Sequence, residues 1–420
     1  MDIHIVWALI IVFAVLMYTI FDGFDLGAGS LLLFFKNEKE RDTIVDTITP
    51  VWDGNESWIV LAGVGLFGGF PNAYATLLPA LYIPVIVMII SLALRGVSME
   101  FRFLASSRRR SWDMVFSVAS VLASLCQGII LGNLLEGIRP RSGADLNTTD
   151  PFYFLTPFTL CTGIIVLLLY MVIGANWLNF KTDRLLQHRV RRVARVVLVL
   201  TVFLAGLVLA ARKYLYAFQP RFQFHGDYDG LSVPFPVWIS GAALMMLGIY
   251  YCLKLKNDKI PFLLNIFLFV YLGVFVISHL WPFIVAPVIR IHDAGAPLYG
   301  NTVLLYGALI VIPVILSYLL YSYYVFKGKT GVSPDYDPKL TDEQEDLKQD
   351  SGLNPENRVP VKLNLAIKIF LKLFWLALFF IILGFLGDFT ALGTAVLFII
   401  LFCAGWYRTS RNENTNAKEL

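Results

Sequence analysis

The chain has 420 residues, 57% hydrophobic and only 15% charged, with a mean hydropathy of +0.69. A soluble protein carries about 25% charged residues, so the composition excludes an ordinary soluble enzyme and points to a membrane protein. Its 34 basic and 30 acidic residues leave a net charge of +4, too small to suggest a nucleic-acid partner. A helical span needs about 20 mostly apolar residues. That rule predicts nine spans before residue 327: 5–34, 51–70, 74–95, 112–134, 155–177, 194–212, 235–255, 261–288 and 302–326. The first run is preceded by no basic segment and followed by no clear cleavage site, so it reads as a retained span. It is too long for one upright crossing and is expected to tilt, or to break near Gly27 and Gly29.

Basic residues set the orientation. Arg95, Arg102 and Arg108 to Arg110 follow the third predicted span. Lys181, Arg184, Arg189, Arg191 and Arg192 follow the fifth, Lys254, Lys256 and Lys259 the seventh, and Lys327 and Lys329 the ninth. With nine spans all four groups fall on the cytoplasmic side, and the N-terminus lies outside. The opposite loops, 135–154 and 213–234, are longer and less basic. After the ninth span comes a polar, acidic cytoplasmic linker over 328–361, containing Thr341 to Asp346. Two further apolar runs follow at 363–386 and 389–407, joined at Gly387-Asp388. The predicted fold is therefore an all-α polytopic membrane bundle. It has nine core helices over 1–327 and a C-terminal two-helix hairpin over 362–420, whose C-terminus is cytoplasmic.

Two stretches break the apolar pattern. Phe21-Asp22-Gly23-Phe24-Asp25-Leu26-Gly27 ends the first run, and Trp52-Asp53-Gly54-Asn55-Glu56-Ser57-Trp58 opens the second. Asp22 and Asp25 share a helix face, as do Asp53 and Glu56. A carboxylate at bilayer depth costs roughly 2.5 to 3.5 kcal/mol, so such residues are read as functional by default. Burial favours the neutral form of an acid, which suits a proton relay. The structural alternative is two packed helices bonded through their carboxylates, with Asp53 as N-cap and Glu56 completing a capping box. Gly23 with Gly27, and Gly65 with Gly69, would let a second helix backbone approach. Arg95, Glu100 and Arg102 form a charge cluster whose arginines can pair with Glu100 or with the acids above, or simply extend to the cytoplasmic surface.

The five histidines are His4, His188, His225, His279 and His292, and only His279 lies inside a predicted span. An axial pair for intrinsic haem cannot be built from them. The four cysteines, Cys126, Cys161, Cys252 and Cys403, lie in or beside apolar runs and read as packing residues. No metal-ligand spacing, phosphate loop or nucleophile elbow appears.

The Asp22-to-Gly27 string, the Trp52-to-Trp58 string and Arg95-Gly96 with Glu100-Phe101-Arg102 resemble subunit II of cytochrome bd-type quinol oxidases. Gly132-Asn133-Leu134-Leu135 and the Trp281-Pro282-Phe283 segment add to the likeness, which covers residues 1–327 in order. The resemblance implies a haem-free subunit in the bacterial inner membrane. Its partner, subunit I, would hold haem b, haem d and the quinol-oxidising site, and no catalytic residue would lie in this chain. It implies a proton route through Asp25 and Asp53, to which helix geometry adds Asp22 and Glu56. It also places Trp58 near a path for oxygen. The 90 or so residues after the ninth span depart from the family pattern, and they could take the place of a small accessory subunit. Membrane lipid and quinone are further expected neighbours. The alternative function is a proton-coupled secondary transporter using Asp22, Asp25 and Asp53, disfavoured because no internal repeat is found. A purely structural anchor differs in making Asp25→Asn and Asp53→Asn silent.

Overall fold

The computed structural model describes residues 2–105, 108–138, 152–182, 184–214 and 235–330. The predicted linker from residue 331 onward, the C-terminal hairpin, Cys403 and the loop holding His225 lie outside the described residues. The described part is a helical bundle. Its long helices are α1 (Ile3–Leu31), α3 (Trp52–Gly69), α5 (Tyr82–Leu104), α6 (Arg109–Glu136), α7 (Pro157–Lys181), α8 (Arg184–Tyr214), α9 (Phe235–Lys254), α10 (Ile260–Leu280) and α12 (Leu298–Val325). Between them lie the short helices α2 (Glu38–Ile48), α4 (Pro71–Ala80) and α11 (Ile291–Ala294), and a two-stranded hairpin of β1 (Phe283–Val285) and β2 (Ile289–Arg290). Among the described residues, eight helices are long and apolar enough to cross a membrane, and the pair α3–α4, bent by 119°, makes a ninth if counted as one span.

Helix α5 runs on to Leu104 and α8 begins at Arg184, so the basic residues there lie within helices, and three further changes follow, two of them at proline. The span expected over 74–95 divides at Leu81, where α4 stops and α5 begins. Pro84 has no N–H to bond the Ala80 carbonyl, and its ring would collide with that group. The span expected to reach 288 ends at Leu280, because Pro282 keeps Trp281 extended (φ −60°, ψ 137°). The chain then forms the hairpin, in which Phe283 faces Arg290 and Val285 faces Ile289.

The third change is in α1, which does not break at Gly27 or Gly29 but continues to Leu31, followed by a 3-10 turn over Leu32–Phe34. Those glycines serve contact. A Cβ on Gly27 would lie 1.7 Å from the Tyr170 carbonyl oxygen, and one on Gly174 would lie 2.3 Å from the Ala28 nitrogen. So α1 and α7 cross backbone to backbone, as the small-residue spacing predicts. Gly65 and Gly69 act differently: they receive the Trp7 ring instead of a second backbone. The Trp7 indole N–H donates to the Asn301 carbonyl at 2.9 Å, tying the start of α1 to α12.

The core runs along α1 and α7 through Phe24, Leu26, Tyr170, Val172, Ile173 and Leu178. Helix α2 is amphipathic and closes one end of the bundle, burying Ile44, Val45 and Ile48. Large apolar side chains such as Phe67, Phe203, Leu244 and Leu320 point outward, as suits lipid or a partner surface.

Candidate functional site

Near its C-terminal end α1 carries Asp22 and Asp25, both fully buried. They are tolerated because α5 and α3 bring polar groups to them and three further helices support those groups. From α5, Arg95 donates through Nη1 to Asp22 Oδ1 at 2.6 Å and through Nη2 to Glu56 Oε2 of α3 at 3.1 Å. Also from α3, Asn55 Nδ2 donates to Asp25 Oδ2 at 2.7 Å. From α12, the Tyr323 hydroxyl donates to Asn55 Oδ1 at 2.9 Å. A second polar chain runs from Tyr170 of α7 through Gln127 of α6, whose amide donates to Tyr18 of α1 at 2.8 Å, and Tyr18 stands beside Asp22.

This is an unequal arrangement of charge. Three carboxylates (Asp22, Asp25 and Glu56) surround one guanidinium. Asp22 Oδ2, Asp25 Oδ1 and Arg95 Nε are buried without a hydrogen-bond partner among the described residues. A packed structural pair would satisfy those atoms. The two open carboxylate oxygens can accept a proton without first losing a hydrogen bond.

The sequence-predicted residues do not all meet. Asp22, Asp25, Glu56 and Arg95 come together. Asp53 is exposed in the first turn of α3; the N-cap is Val51, and no side chain caps the helix, so the expected capping box does not form. The cluster expected from Arg95, Glu100 and Arg102 divides. Arg102 lies two turns further along α5 and donates to Asp113 Oδ1 at 2.6 Å and Asp42 Oδ1 at 2.5 Å. Asp113 is fully buried and also accepts from Arg41 Nε at 2.7 Å, so it clamps α2 between α5 and α6. Glu100 is exposed on the other side of α5. Trp58 is fully buried in an apolar cluster with Ala14, Tyr18, Ala62 and Leu319, and its ring meets Phe13 edge-on at 5.5 Å.

The family profile for "Cytochrome bd terminal oxidase subunit II" matches residues 3–326. The chain belongs to this family. It is 28% identical over 340 residues to the cytochrome bd ubiquinol oxidase subunit 2 of Bacillus subtilis, covering 79% of this chain and 97% of that one. It is 32% identical over 217 residues to a probable cytochrome oxidase subunit 2 of Haemophilus influenzae, covering 49% of this chain and 57% of the relative. The match to the bd-I ubiquinol oxidase subunit 2 of Escherichia coli is 31% over 203 residues, covering 47% and 54%. Against these last two, then, the chain aligns over little more than half of the relative's length. A solved bd oxidase structure from Geobacillus thermodenitrificans superposes with a TM-score of 0.60 at 18% identity, covering 78% of this chain and 98% of that one, which shows the shared fold.

In this subunit II three of the described histidines meet other side chains of the chain. His4 and His292 both turn to Asp2, His292 Nδ1 at 2.7 Å, and His279 stacks on Phe275. Among the described residues, no three His, Cys, Asp or Glu side chains gather as a metal would require. A pocket of about 180 Å³ beside Asp46 and Tyr323 is smaller than the roughly 300–1,000 Å³ of small-molecule sites. Sequence reasoning missed Asn55, Tyr323, Tyr18, Gln127 and Tyr170. Asn55 lies inside the acidic string and offered a signal. The tyrosines did not, because Tyr323 sits in a run with Tyr318, Tyr321 and Tyr324 that resembles an interfacial aromatic belt.

Proposed function

We propose that this chain is the haem-free subunit of a bd-type quinol:oxygen oxidoreductase, paired with a haem-bearing subunit I in the bacterial cell membrane. The N-terminus lies outside and the basic loops in the cytoplasm. When bound in the partner, haem b and haem d supply electron transfer and oxygen reduction. This chain's residues supply scaffold and proton access. The observation that carries the reading is the buried set Asp22, Arg95, Glu56 and Asp25 in a chain of this family.

Asp25 and Asp22 form the buried part of the route. Glu56, partly exposed, and Asp53, fully outward on the same helix, carry it to the bundle surface, where a partner would take the proton. Trp58, sealed among apolar groups, suits a dry path that favours oxygen over water. The 328–420 extension takes the place of a small accessory subunit. Deleting it should then weaken assembly or turnover, and an unchanged complex would remove that role.

The first test is a reduced-minus-oxidised visible spectrum of the protein purified gently from its native membrane. Haem b and haem d bands should appear with a co-purifying larger subunit, and stripping that subunit should leave this one colourless. A stable, colourless protein without a partner would overturn the reading. The comparisons give the transporter alternative no support.

A further inference from the structure

The pocket of about 180 Å³ opens at the end of the bundle closed by α2. Its walls are Asp46 and Pro50 from α2 and the turn after it, Trp177 and Lys181 from the end of α7, and Phe326 just past α12. The segment after α12 folds back beneath it: Lys181 Nζ donates to the Phe326 and Gly328 carbonyls, and Thr330 N donates to the Lys181 carbonyl at 2.7 Å. Lys181 is thereby committed to ending α12 and not to a ligand. A liquid water occupies about 30 Å³, so the pocket holds several.

One lining residue also belongs to the buried site. The Tyr323 ring walls the pocket, and its hydroxyl reaches Asn55, which in turn bonds Asp25. Asp25 Oδ1, the oxygen that Asn55 does not hold, is buried and has no partner among the described residues. At the pocket mouth stands Asp46. Its carboxyl is pushed up from the ordinary range by partial burial and then by the Asp42 charge, against the pull of Arg102.

We propose that this pocket is the aqueous inlet for protons bound for Asp25, with Asp46 as the collecting carboxylate and the Tyr323 hydroxyl as the last group before the buried site. The inlet rests on the reading above that Asp25 lies on a proton route. Asn55 orients Asp25 and does not relay, because an amide offers its acceptor and its donors on different atoms. The phenol relays instead. Its O–H donates to Asn55 Oδ1; in the relay that bond opens, the phenol oxygen accepts a proton from pocket water, and the phenol's own proton passes through a water that must enter beside Asp25 Oδ1. The proton leaves hydronium or the Asp46 acid and ends in a new O–H bond on Asp25. At each hop one O–H bond breaks and one forms, and no electron moves.

The test measures proton uptake with a pH indicator during single-turnover oxygen reduction by the intact oxidase complex. Tyr323→Phe keeps the ring and should slow uptake by at least about tenfold. Tyr323→Ser opens a gap that water fills and should be faster than Tyr323→Phe. A structural role predicts the reverse order, because serine loses the ring packing on Phe21 and Trp177. Asp46→Asn should also slow uptake, and Asp46→Glu should restore it. Wild-type uptake in Tyr323→Phe or Asp46→Asn, or serine slower than phenylalanine, overturns the inlet. If Asp25→Asn itself leaves uptake unchanged, the proton route fails and the inlet with it. If Asp25→Asn slows uptake while Tyr323→Phe does not, the inlet alone fails. Haem bands and co-purification of the partner confirm assembly in each variant.

Discussion

Among the described residues, replacing Arg95 with Leu removes the only guanidinium in contact with Asp22 and Glu56. Asp22 is fully buried and Arg95 is 1% exposed, so water cannot take over the lost bond at 2.6 Å. Removing one partner of such a pair costs about 3–5 kcal/mol, because the other charge is left buried alone. Glu56, 23% exposed, can turn toward solvent and adds little. Arg95→Leu should therefore destabilise by that amount in a denaturant titration of the purified complex. The double variant Arg95→Leu with Asp22→Leu should recover most of the loss, since matched apolar replacement of a buried pair is often neutral. Arg95→Lys should recover only part, because one ammonium cannot span two carboxylates as Nη1 and Nη2 do. A single variant within about 0.5 kcal/mol of wild type would refute the reasoning, since that is the size of an ordinary surface change.

Three further outcomes follow from the same geometry. Gly27→Ala sets a methyl 1.7 Å from a backbone oxygen and should abolish the assembled protein on a membrane blot; Gly63→Ala, where nothing lies within 4 Å, should express normally. Trp58→Ala empties a fully buried site, should cost about 3–5 kcal/mol, and should change the apparent oxygen affinity measured by respirometry if the ring controls access. Asp258 lies in the α9–α10 turn, where burial raises its carboxyl but Lys329, Gln187 and Arg191 outweigh that and hold it below the usual range. A depressed acid contributes stability above its unfolded value of about 3.9, and that stability is lost as pH falls through the folded value. Acid unfolding should thus lose a stabilising step below about pH 4, and Asp258→Asn should remove that step from the curve.

Hydropathy made the bundle legible because it is a sum over many residues, and no single residue decides it. The boundaries that moved turned on individual prolines. Pro84 acts on the carbonyl four residues back and Pro282 on the residue before it, local effects that a 20-residue hydropathy count averages away. Gly27 was ambiguous for a related reason: a glycine that breaks a helix and one that admits a neighbour look identical until Tyr170 is placed against it. Trp7 filling the Gly65–Gly69 face shows the same limit, since spacing reports a groove but not what fills it.

The site divides along a different line, between charge and neutrality. Asp22, Asp25, Glu56 and Arg95 announce themselves because each is costly in a membrane. Helix spacing then paired Asp53 with Glu56, yet those two residues sit on opposite sides of the burial boundary: Glu56 reaches Arg95 while Asp53 faces out. The residue that holds Asp25 is the neutral Asn55, two positions from Asp53, and it is held in turn by a tyrosine 268 residues away. Neutral hydrogen-bonding groups cost far less to bury and so leave no mark in composition. In this membrane chain the acids stand out in the sequence, whereas the neutral groups that hold them emerge only from the packing. Tyr323 is such a group. In the inlet proposed above it connects the buried carboxylate to the pocket at Asp46, which makes the phenol, and not another acid, the residue whose removal best separates a proton route from a structural salt bridge.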